Sequence, residues 1–340
     1  MFLRSRKPVY SITLFTRFTG ATQTQTKIRR RRIMSTFIIP NSTPQLPVSL
    51  TPDLSRDQLL AFPAFKIWLS TLQHSLSRQA DPSHEFHAAP HTLRHIHVQA
   101  VDFFGGGRLG FVKLKVDVSN DHDEKLPGSV FLRGGSVGVL LILQPSDIPQ
   151  TSEAEKRAIL TIQPRIPAGS LAFPEIPAGM LDDSGAFAGR AAKEIQEETG
   201  LIIPQDELID LTALANSIQG KRRKQEEEEE EKGEGEKEEI EKRGGRGKTD
   251  TNGDGEKLQI GVYPSPGGCD EFIPLFLCQK RMPRKEIERL QGKLTGLRKE
   301  GEKITLKVVK LDDMWKEAWR DGKTLAAWAL YQGLKGEGVL

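Results

Sequence analysis

A short acidic helix that follows a glycine-containing loop constrains this chain more than any other feature. Three apolar side chains recur at every fourth position and predict a helix with one face packed on a sheet: Phe187, Ala191 and Ile195. Glu194, Glu197 and Glu198 are spaced by three and four residues, so they project from one face of that helix. Ser184 can cap the start of the helix, and Gly200 can end it.

The three glutamates repel one another at this spacing, by about 0.2–0.5 kcal/mol per pair. A bound divalent cation would reverse that effect, because hard cations such as Mg²⁺ bind carboxylate oxygens. The alternative is a solvated acidic face, which is the usual meaning of a glutamate-rich helix. The surrounding sequence therefore has to decide between a metal site and a solvated surface.

One stretch of the chain resembles the Nudix box, G-x5-E-x7-R-E-U-x-E-E-x-G-U, in which U is a bulky aliphatic residue. The positions that match are Gly179, Glu194, Ile195, Glu197, Glu198, Gly200 and Leu201. Gly185 stands where the pattern has its first glutamate, and Lys193 replaces the arginine. Lysine keeps the positive charge but lacks the planar guanidinium. Asp182 or Asp183 could stand in for the missing glutamate.

Other parts of the chain extend the resemblance to the ADP-ribose and ADP-sugar diphosphatases of this family. Residues 163–179 resemble the strand-loop-strand that precedes the box, and residues 263–271 are similar to the Ser-Pro-Gly signature of the subgroup. Residues 295–306 resemble the loop that carries a late catalytic glutamate, and residues 61–76 and 98–116 are similar to the N-terminal region of eukaryotic members. The resemblance implies an α/β fold, a Nudix α/β/α sandwich with a mixed sheet and a small N-terminal helix/β-hairpin region.

The resemblance also implies a set of metal ligands, position by position. In the family, glutamates of the box helix, a backbone carbonyl before the box and a late glutamate bind Mg²⁺ or Mn²⁺. The matching positions in this chain are Ala178, Glu194, Glu197, Glu198 and Glu302.

Catalytic and substrate-binding residues complete the expected site. The implied catalytic residues are Glu197, Glu300 and Glu302, with Glu302 favoured as a metal ligand and Glu300 as the base that deprotonates water. Arg165 is the candidate for binding the diphosphate, because a guanidinium can contact two oxygens at once. Glu175 either accepts a hydrogen bond from the substrate or orients Arg165, and a surface ion pair between the two is the alternative.

The implied reaction is hydrolysis of an ADP-sugar, ADP-ribose or ADP-glucose, to AMP and a sugar phosphate. Metal ions that bridge phosphate oxygens neutralise charge as water attacks phosphorus. Two alternatives remain: a Nudix hydrolase of another diphosphate, such as NADH or a diphosphoinositol, and a degenerate Nudix module that binds a nucleotide without cleaving it. Gly185 and Lys193 favour the module, and the intact glutamates favour the enzyme. Relatives with an N-terminal appendage are commonly dimers, so a homodimer is expected.

Composition argues against several other classes of protein. The chain has 340 residues and a net charge of +3 from nearly balanced acids and bases, which indicates no nucleic-acid partner. Its two cysteines, Cys269 and Cys278, are too few for a disulfide framework or a zinc quartet. No run is long and apolar enough to cross a bilayer, so no membrane partner is expected.

The first 52 residues contain no Asp or Glu and carry a run of four arginines, Arg29 to Arg32. This basic, hydroxyl-rich and acid-free composition is typical of a mitochondrial or plastid transit peptide, and the mitochondrion is the predicted destination. The alternatives are a disordered basic tail, a nuclear signal formed by the arginine run, and translation from Met34 that leaves the protein in the cytoplasm.

These features divide the chain into three parts. Residues 1–52 form the transit-like tail, residues 53–130 an N-terminal helix and β-hairpin region, and residues 131–335 the Nudix domain. Residues 220–257 interrupt that domain with a low-complexity charged insert. Such a segment cannot bury enough apolar surface to fold by itself, so a solvated surface loop is expected, with room for a few helical turns.

Apolar periodicity predicts the remaining elements. Helix-like spacing covers residues 56–78 with a break at Pro63, and alternating stretches at 95–103 and 109–116 predict a β-hairpin. Further strands are predicted at 137–143, 156–163, 207–215, 272–278 and 304–310. Helices are predicted at 284–290 and 311–334, and the tryptophans of the last segment are expected in the core.

Overall fold

The structure is a computed structural model that describes residues 35–181, 187–234, 256–297 and 301–340, with the backbone alone at 223–234. The expectations for Ser184, Gly185 and Glu300 lie outside the described residues, as do those for the chain before residue 35.

The N-terminal region contains a sheet with two helices packed on one face. Its described strands are β1 (Ser35–Ile38), β2 (Pro47–Leu50), β3 (Thr92–Phe103), β4 (Leu109–Ser119), β5 (Lys125–Leu126) and β6 (Ser129–Leu132). Neighbours follow the order β1-β2-β3-β4-β5, and β6 pairs with β4. Strands β2 and β3 run parallel, whereas β3 and β4 form the predicted antiparallel hairpin. The chain reverses direction there through Gly106 and Gly107, whose φ angles of 74° and 77° suit glycine.

The two helices are α1 (Arg56–Ala61) and α2 (Pro63–Ser77), and the break between them falls at the predicted proline. Ser55 and Gln58 form a capping box at the start of α1, each side chain accepting from the other's backbone N–H. Pro63 opens α2, where its missing N–H costs nothing.

The predicted basic tail is too long at its C-terminal end, because residues 35–50 include β1 and β2. Val48 and Leu50 are buried in a core that they share with Phe65 of α2 and with the inner faces of β3 and β4. Alternation of apolar and polar residues over four positions was too short a signal to predict these strands.

A second sheet forms the centre of the larger, C-terminal part of the chain. Its described strands are β7 (Ser136–Pro145), β8 (Arg157–Arg165), β9 (Ser170–Glu175), β10 (Ala178–Met180), β11 (Ile209–Asp210), β12 (Leu275–Met282), β13 (Leu294–Thr295) and β14 (Ile304–Lys310). They follow the order β11-β12-β7-β8-β14-β13, with β10 beside β7 and β9 beside β8. Strands β7 and β12 are parallel and the other described pairs are antiparallel, so the sheet is mixed as predicted.

Helices cover both faces of this sheet. On one face lie α3 (Phe187–Thr199) and α5 (Arg284–Leu290), and on the other α4 (Leu211–Glu234), α6 (Met314–Glu317) and α7 (Gly322–Gly336). Strand β7 is buried on both sides: Val139 and Leu141 pack towards α3, and Leu140 and Ile142 towards α7. The three layers confirm the predicted α/β fold class.

The strand predicted at 207–215 is wrong beyond Asp210, where helix α4 begins instead. The Asp210 carboxylate accepts from the Ala213 N–H at 2.9 Å and from the Thr212 hydroxyl at 2.6 Å, as an N-terminal cap does. Leu211, Leu214 and Ile218 then recur at helical spacing and pack on the sheet. The backbone of α4 continues into the predicted charged insert as far as Glu234.

The tryptophans near the C-terminus do not all pack in the core as predicted. Trp328 is partly buried against the core, but Trp315 and Trp319 are exposed. Their neighbours Lys316 and Arg320 lie over the exposed rings, at 5.7 and 4.1 Å from the ring centroids. In the described residues, no helix has both the length and the apolar character that a membrane span needs.

Candidate active site

Two of the three glutamates on helix α3 face the interior of the protein. Ala191 and Ile195 fix the rotation of the helix by packing in the core, and Gly200, with φ 75°, ends it. As a result Glu194 is 5% exposed and Glu198 is 1% exposed. A solvated acidic face is therefore the wrong interpretation for these two residues.

A glycine on the neighbouring strand makes room for this arrangement. Gly179 lies in β10, and a Cβ atom at that position would be 1.9 Å from Cδ of Glu194. Any larger residue would push the carboxyl group away from the strand. The first glycine of the box is thus explained by the close approach of Glu194 to the backbone of β10.

Glu198 is held by one backbone and one side-chain donor. Its Oε2 accepts from the Ala178 N–H at 3.0 Å, and its Oε1 accepts from Nε2 of Gln163 at 3.2 Å. The Thr295 hydroxyl donates to the Glu198 carbonyl oxygen at 2.5 Å and ties the end of α3 to β13. Gln163 was not predicted as a site residue, because it continues the alternation of β8, yet its side chain is buried and contacts Glu198.

Burial raises the pKa of Glu198 to about 8 and that of Glu194 to about 7. Removal from water is the main cause, since it disfavours the charged carboxylate. Glu197 and Glu302 lie close enough to raise the pKa of Glu194 further, while its ion-pair partner Arg190 lowers it. Two buried acids with raised pKa values form a charge cluster that an additional cation would stabilise.

The donor set fits a divalent cation. The oxygens are hard carboxylate ligands of the kind that Mg²⁺ and Mn²⁺ prefer. Oε1 of Glu194 pairs with a terminal nitrogen of Arg190, so a cation at this position would share the carboxylate with that guanidinium.

Glu197 and Glu302 lie near Glu194 but pair with other groups. Glu197 is partly buried on α3 and pairs with Lys193 at 3.4 Å. Oε2 of Glu302 accepts from the Leu297 N–H at 2.8 Å and so belongs to its own loop. Accordingly, among the described residues no three acidic, histidine or cysteine side chains are already grouped as a metal site.

Arg165 and Glu175 form a second part of the site beside Glu198. Nε of Arg165 donates to Oε1 of Glu175 at 2.6 Å, and Oε2 of Glu175 pairs with Lys323 at the start of α7. Glu175 is 2% exposed and Arg165 is 40% exposed. A surface ion pair is therefore wrong for Glu175, and the orienting role fits its position. Its charge also contributes to the raised pKa of Glu198, which places the two groups near each other.

The Ser-Pro-Gly segment fixes the loop that leads into β7. The Asp270 carboxylate accepts from the backbone N–H groups of Arg133 and Gly134, at 2.7 and 3.1 Å. Glu271 pairs with the Arg133 guanidinium at 2.7 Å and accepts from the Ser136 hydroxyl at 2.7 Å. These contacts hold the start of β7. Strand β7 pairs with β10, on which Ala178 and Gly179 lie.

A cavity of about 460 Å³ opens where the N-terminal helices and hairpin meet the second sheet. Its wall includes Met180, two residues after Ala178, and Phe187, the first residue of α3. The rest of the lining includes aromatic rings and guanidinium groups, among them Phe62, Phe104, Arg108 and Phe272.

Comparison with known proteins decides the family. No protein-family model matches the chain. Nudix hydrolase 14, chloroplastic, from Arabidopsis thaliana is 33% identical over 278 residues, which cover 81% of this chain and 72% of that relative. This chain belongs to the Nudix hydrolase family. A solved structure described as that of an ADP compounds hydrolase covers 73% of this chain and 99% of its own, at 13% identity and a TM-score of 0.39, and that likeness carries no inference about substrate.

Members of the Nudix family generally use divalent metal ions and act on small nucleotide substrates. In this Nudix hydrolase, the structure brings together Glu194, Glu198, Gln163 and the Arg165–Glu175 pair. It leaves Glu197 and Glu302 near Glu194 but bonded to other groups.

Proposed function

We propose that this Nudix hydrolase cleaves the diphosphate bond of ADP-sugars, ADP-ribose or ADP-glucose, to give AMP and a sugar phosphate. The observation that carries the proposal is the buried pair Glu194 and Glu198, packed against β10 beside the Arg165–Glu175 pair. Buried acids next to an exposed guanidinium suit a ligand that combines a divalent cation with phosphate oxygens.

Mg²⁺ or Mn²⁺ would be held by Glu194 and Glu198 together with the Ala178 carbonyl, Glu197 and Glu302. When bound, the cation would neutralise charge on the phosphate oxygens and would lower the pKa of a coordinated water. Glu300, which lies outside the described residues, is the base in this proposal, and Glu302 is the alternative. The chain's own contribution is to keep Glu194 and Glu198 buried and oriented before any ligand arrives.

Arg165 binds the diphosphate in this proposal. Its Nε is used by Glu175, which leaves the two terminal nitrogens of a 40% exposed side chain for phosphate oxygens. A guanidinium suits this role because its planar donors match two oxygens of one phosphate.

The cavity supports a nucleotide over a diphosphoinositol. Its volume of about 460 Å³ lies in the range of small-molecule pockets. Phenylalanine rings and arginine guanidiniums offer flat surfaces on which a nucleobase stacks. An inositol has no aromatic ring and so cannot stack on these surfaces.

The substitution at Lys193 does not argue for a degenerate module. Lys193 pairs with Glu197 at the helix surface, while Arg190, one turn earlier, pairs with the buried Glu194. A cation therefore still accompanies each of these glutamates, which supports an enzyme over a binding module.

Import into an organelle is part of the proposal, directed by the acid-free segment ahead of residue 35. The relative from Arabidopsis thaliana is chloroplastic by name, so a plastid stands beside the mitochondrion as the destination.

A substrate panel tests the proposed reaction. The full-length protein is incubated with ADP-ribose, ADP-glucose, NADH and a diphosphoinositol, with Mg²⁺ or Mn²⁺ and with chelator, and AMP is measured by chromatography. We expect metal-dependent AMP release from an ADP-sugar in preference to the other compounds. Tight binding of an ADP-sugar without any product would support the degenerate module and refute the enzyme.

A further inference from the structure

The start of helix α7 is tied to the proposed diphosphate site by a set of polar contacts. Asp321 caps the helix: its Oδ2 accepts from the Thr324 N–H at 3.1 Å and from the Thr324 hydroxyl at 2.5 Å. Oγ1 of Thr324 in turn accepts from the Ile176 N–H at 2.9 Å, one residue after Glu175. The first turn of α7 is thus fixed to the backbone that carries Glu175.

Lys323 lies in the same turn and contacts two carboxylates. Its Nζ pairs with Oε2 of Glu175 and with Oδ1 of Asp321, the latter at 3.0 Å. The side chain is 11% exposed. A lysine is rarely buried to this extent without a partner. Here its ammonium group pairs with one of the two oxygens of the buried Glu175 carboxylate.

Glu175 therefore has one cation on each oxygen. Oε1 accepts from Nε of Arg165, and Oε2 is occupied by Lys323. If Oε2 were free, the guanidinium of Arg165 would be expected to turn and bond both oxygens, because the bidentate pair is the strongest form of this interaction. The terminal nitrogens of Arg165 would then face the protein.

We propose that Lys323 is a positioning residue: by occupying Oε2 of Glu175 it restricts Arg165 to a single Nε contact and keeps the terminal guanidinium nitrogens directed at the substrate. The inference rests on the proposed diphosphatase function for its kinetic consequence, but the position of Arg165 can be measured without any substrate. Lys323 touches no reacting atom in this account and acts through Glu175 and Arg165.

The first test follows the Arg165 Nε–H group by ¹⁵N NMR of the full-length protein, with the signal assigned by its loss in Arg165→Lys. The change is Lys323→Met, which keeps the length of the side chain and removes its charge. The conservative variant is Lys323→Arg. The matched control is Lys316→Met, at an exposed lysine that pairs with Asp313 and lies away from Glu175.

We expect the Nε–H signal to shift in Lys323→Met and to return to the wild-type position in Lys323→Arg, with no shift in Lys316→Met. An unchanged signal in Lys323→Met would overturn the proposal. If Lys323→Met does not fold, Lys323→Leu takes its place, since it also removes the charge and leaves Oε2 of Glu175 without a donor from this position.

The second test is a double-mutant cycle with Arg165→Met, measured on the best ADP-sugar and on binding of inorganic diphosphate. Lys323→Met should raise KM and the diphosphate Kd by about tenfold and change kcat by less than about threefold. Added to Arg165→Met, it should change neither by more than about twofold, because its effect passes through that residue. Additive effects, or a lower unfolding midpoint with unchanged KM, would refute the positioning role.

The two proposals fail in different ways. If the wild-type protein hydrolyses no diphosphate, the proposed function is wrong, while the NMR signal still decides whether Lys323 positions Arg165. If turnover is present but the signal and KM do not respond to Lys323→Met, only the positioning role is wrong.

Discussion

At the scale of single residues, the proposed metal site depends on two carboxyl groups that the protein keeps out of water. Glu194 and Glu198 were predicted as metal ligands from their spacing and from the resemblance to the Nudix box, and their burial agrees with that assignment. Gln163 and Lys323 were not predicted, because their partners Glu198 and Glu175 are distant in sequence. Arg190 was not predicted, because it is one of several charged residues on the same helix as its partner Glu194. Sequence spacing predicts which face of a helix a residue lies on, but not which groups on other elements meet it.

Replacement of Glu198 by Gln separates catalysis from stability. Gln keeps the shape of the side chain, and Gln163 can rotate its amide to accept from the new NH₂ group, so the fold should tolerate the change. We expect turnover to fall by about three orders of magnitude or more, since a metal ligand is lost. At pH 5, where the buried carboxyl group of Glu198 is still protonated, the unfolding midpoint should stay close to that of the wild type. The exposed control Glu288→Gln should match the wild type in both turnover and midpoint. A fully active Glu198→Gln protein would refute the assigned role.

The raised pKa values predict an unusual dependence of stability on pH in the metal-free protein. Glu194 and Glu198 have pKa values of about 7 and 8 in the folded protein, against 4.5 in an unfolded chain. Between those values the folded state holds protons that the unfolded chain has lost, so the free energy of unfolding falls as the pH rises.

Thermal unfolding with chelator checks this dependence. Relative to a Glu194→Gln/Glu198→Gln double variant, the wild-type midpoint should decrease from pH 5 to pH 8, and saturating Mg²⁺ should raise it more at pH 8 than at pH 5. Parallel curves for the two proteins would show that these acids are not buried as described.

At the scale of elements, helix α3 packs against strand β10, where Glu194 lies close to Gly179. The apolar spacing of α3 was predicted correctly because Ala191 and Ile195 face the core at the helical period. The start of α4 was predicted as a strand, because the capping role of Asp210 depends on a turn that apolar spacing does not reveal. A helix of several turns can thus be predicted from its apolar spacing. A single capping residue such as Asp210 starts a helix without any periodic signal in the sequence.

Gly179→Ala tests the contact between α3 and β10. The added methyl group would lie 1.9 Å from Cδ of Glu194 if nothing moved, so the carboxyl group must shift. We expect turnover to fall by about 100-fold or more, and the free energy of unfolding to decrease by about 1–3 kcal/mol.

The matched control is Gly220→Ala, at a helical position of α4 where an added Cβ meets nothing within 4 Å. That change should leave turnover intact and raise the free energy of unfolding by up to about 1 kcal/mol. Equal loss of activity in both variants would contradict the specific role of Gly179.

At the scale of the whole molecule, the low-complexity segment should be dispensable for catalysis. Residues 235–255 combine lysine, glutamate and glycine with too little apolar surface to contribute to a core. Replacement of these 21 residues by a Gly/Ser sequence of equal length should change kcat/KM by less than about twofold and leave the unfolding midpoint in place. A large loss of either quantity would assign the segment a structural or catalytic role.

The N-terminal segment should direct the protein to an organelle. Strand β1 begins at Ser35, so the transit signal is expected within residues 1–34. Fused to a fluorescent protein in plant protoplasts, which contain both organelles, these residues should give plastid or mitochondrial fluorescence. The same fusion with the four arginines changed to glutamines controls for charge, and diffuse or nuclear fluorescence from the unaltered segment would contradict the prediction.

The central claim is that one turn of α3 holds a divalent cation against a nucleotide diphosphate. Crystals of the full-length protein grown with Mn²⁺ and a non-hydrolysable methylene analogue of ADP-ribose would test it by anomalous scattering at the manganese edge. We expect an anomalous peak within coordination distance of Glu194 and Glu198, about 2.0–2.3 Å, with the diphosphate on its far side. A bound analogue with no peak at these two carboxylates would contradict it.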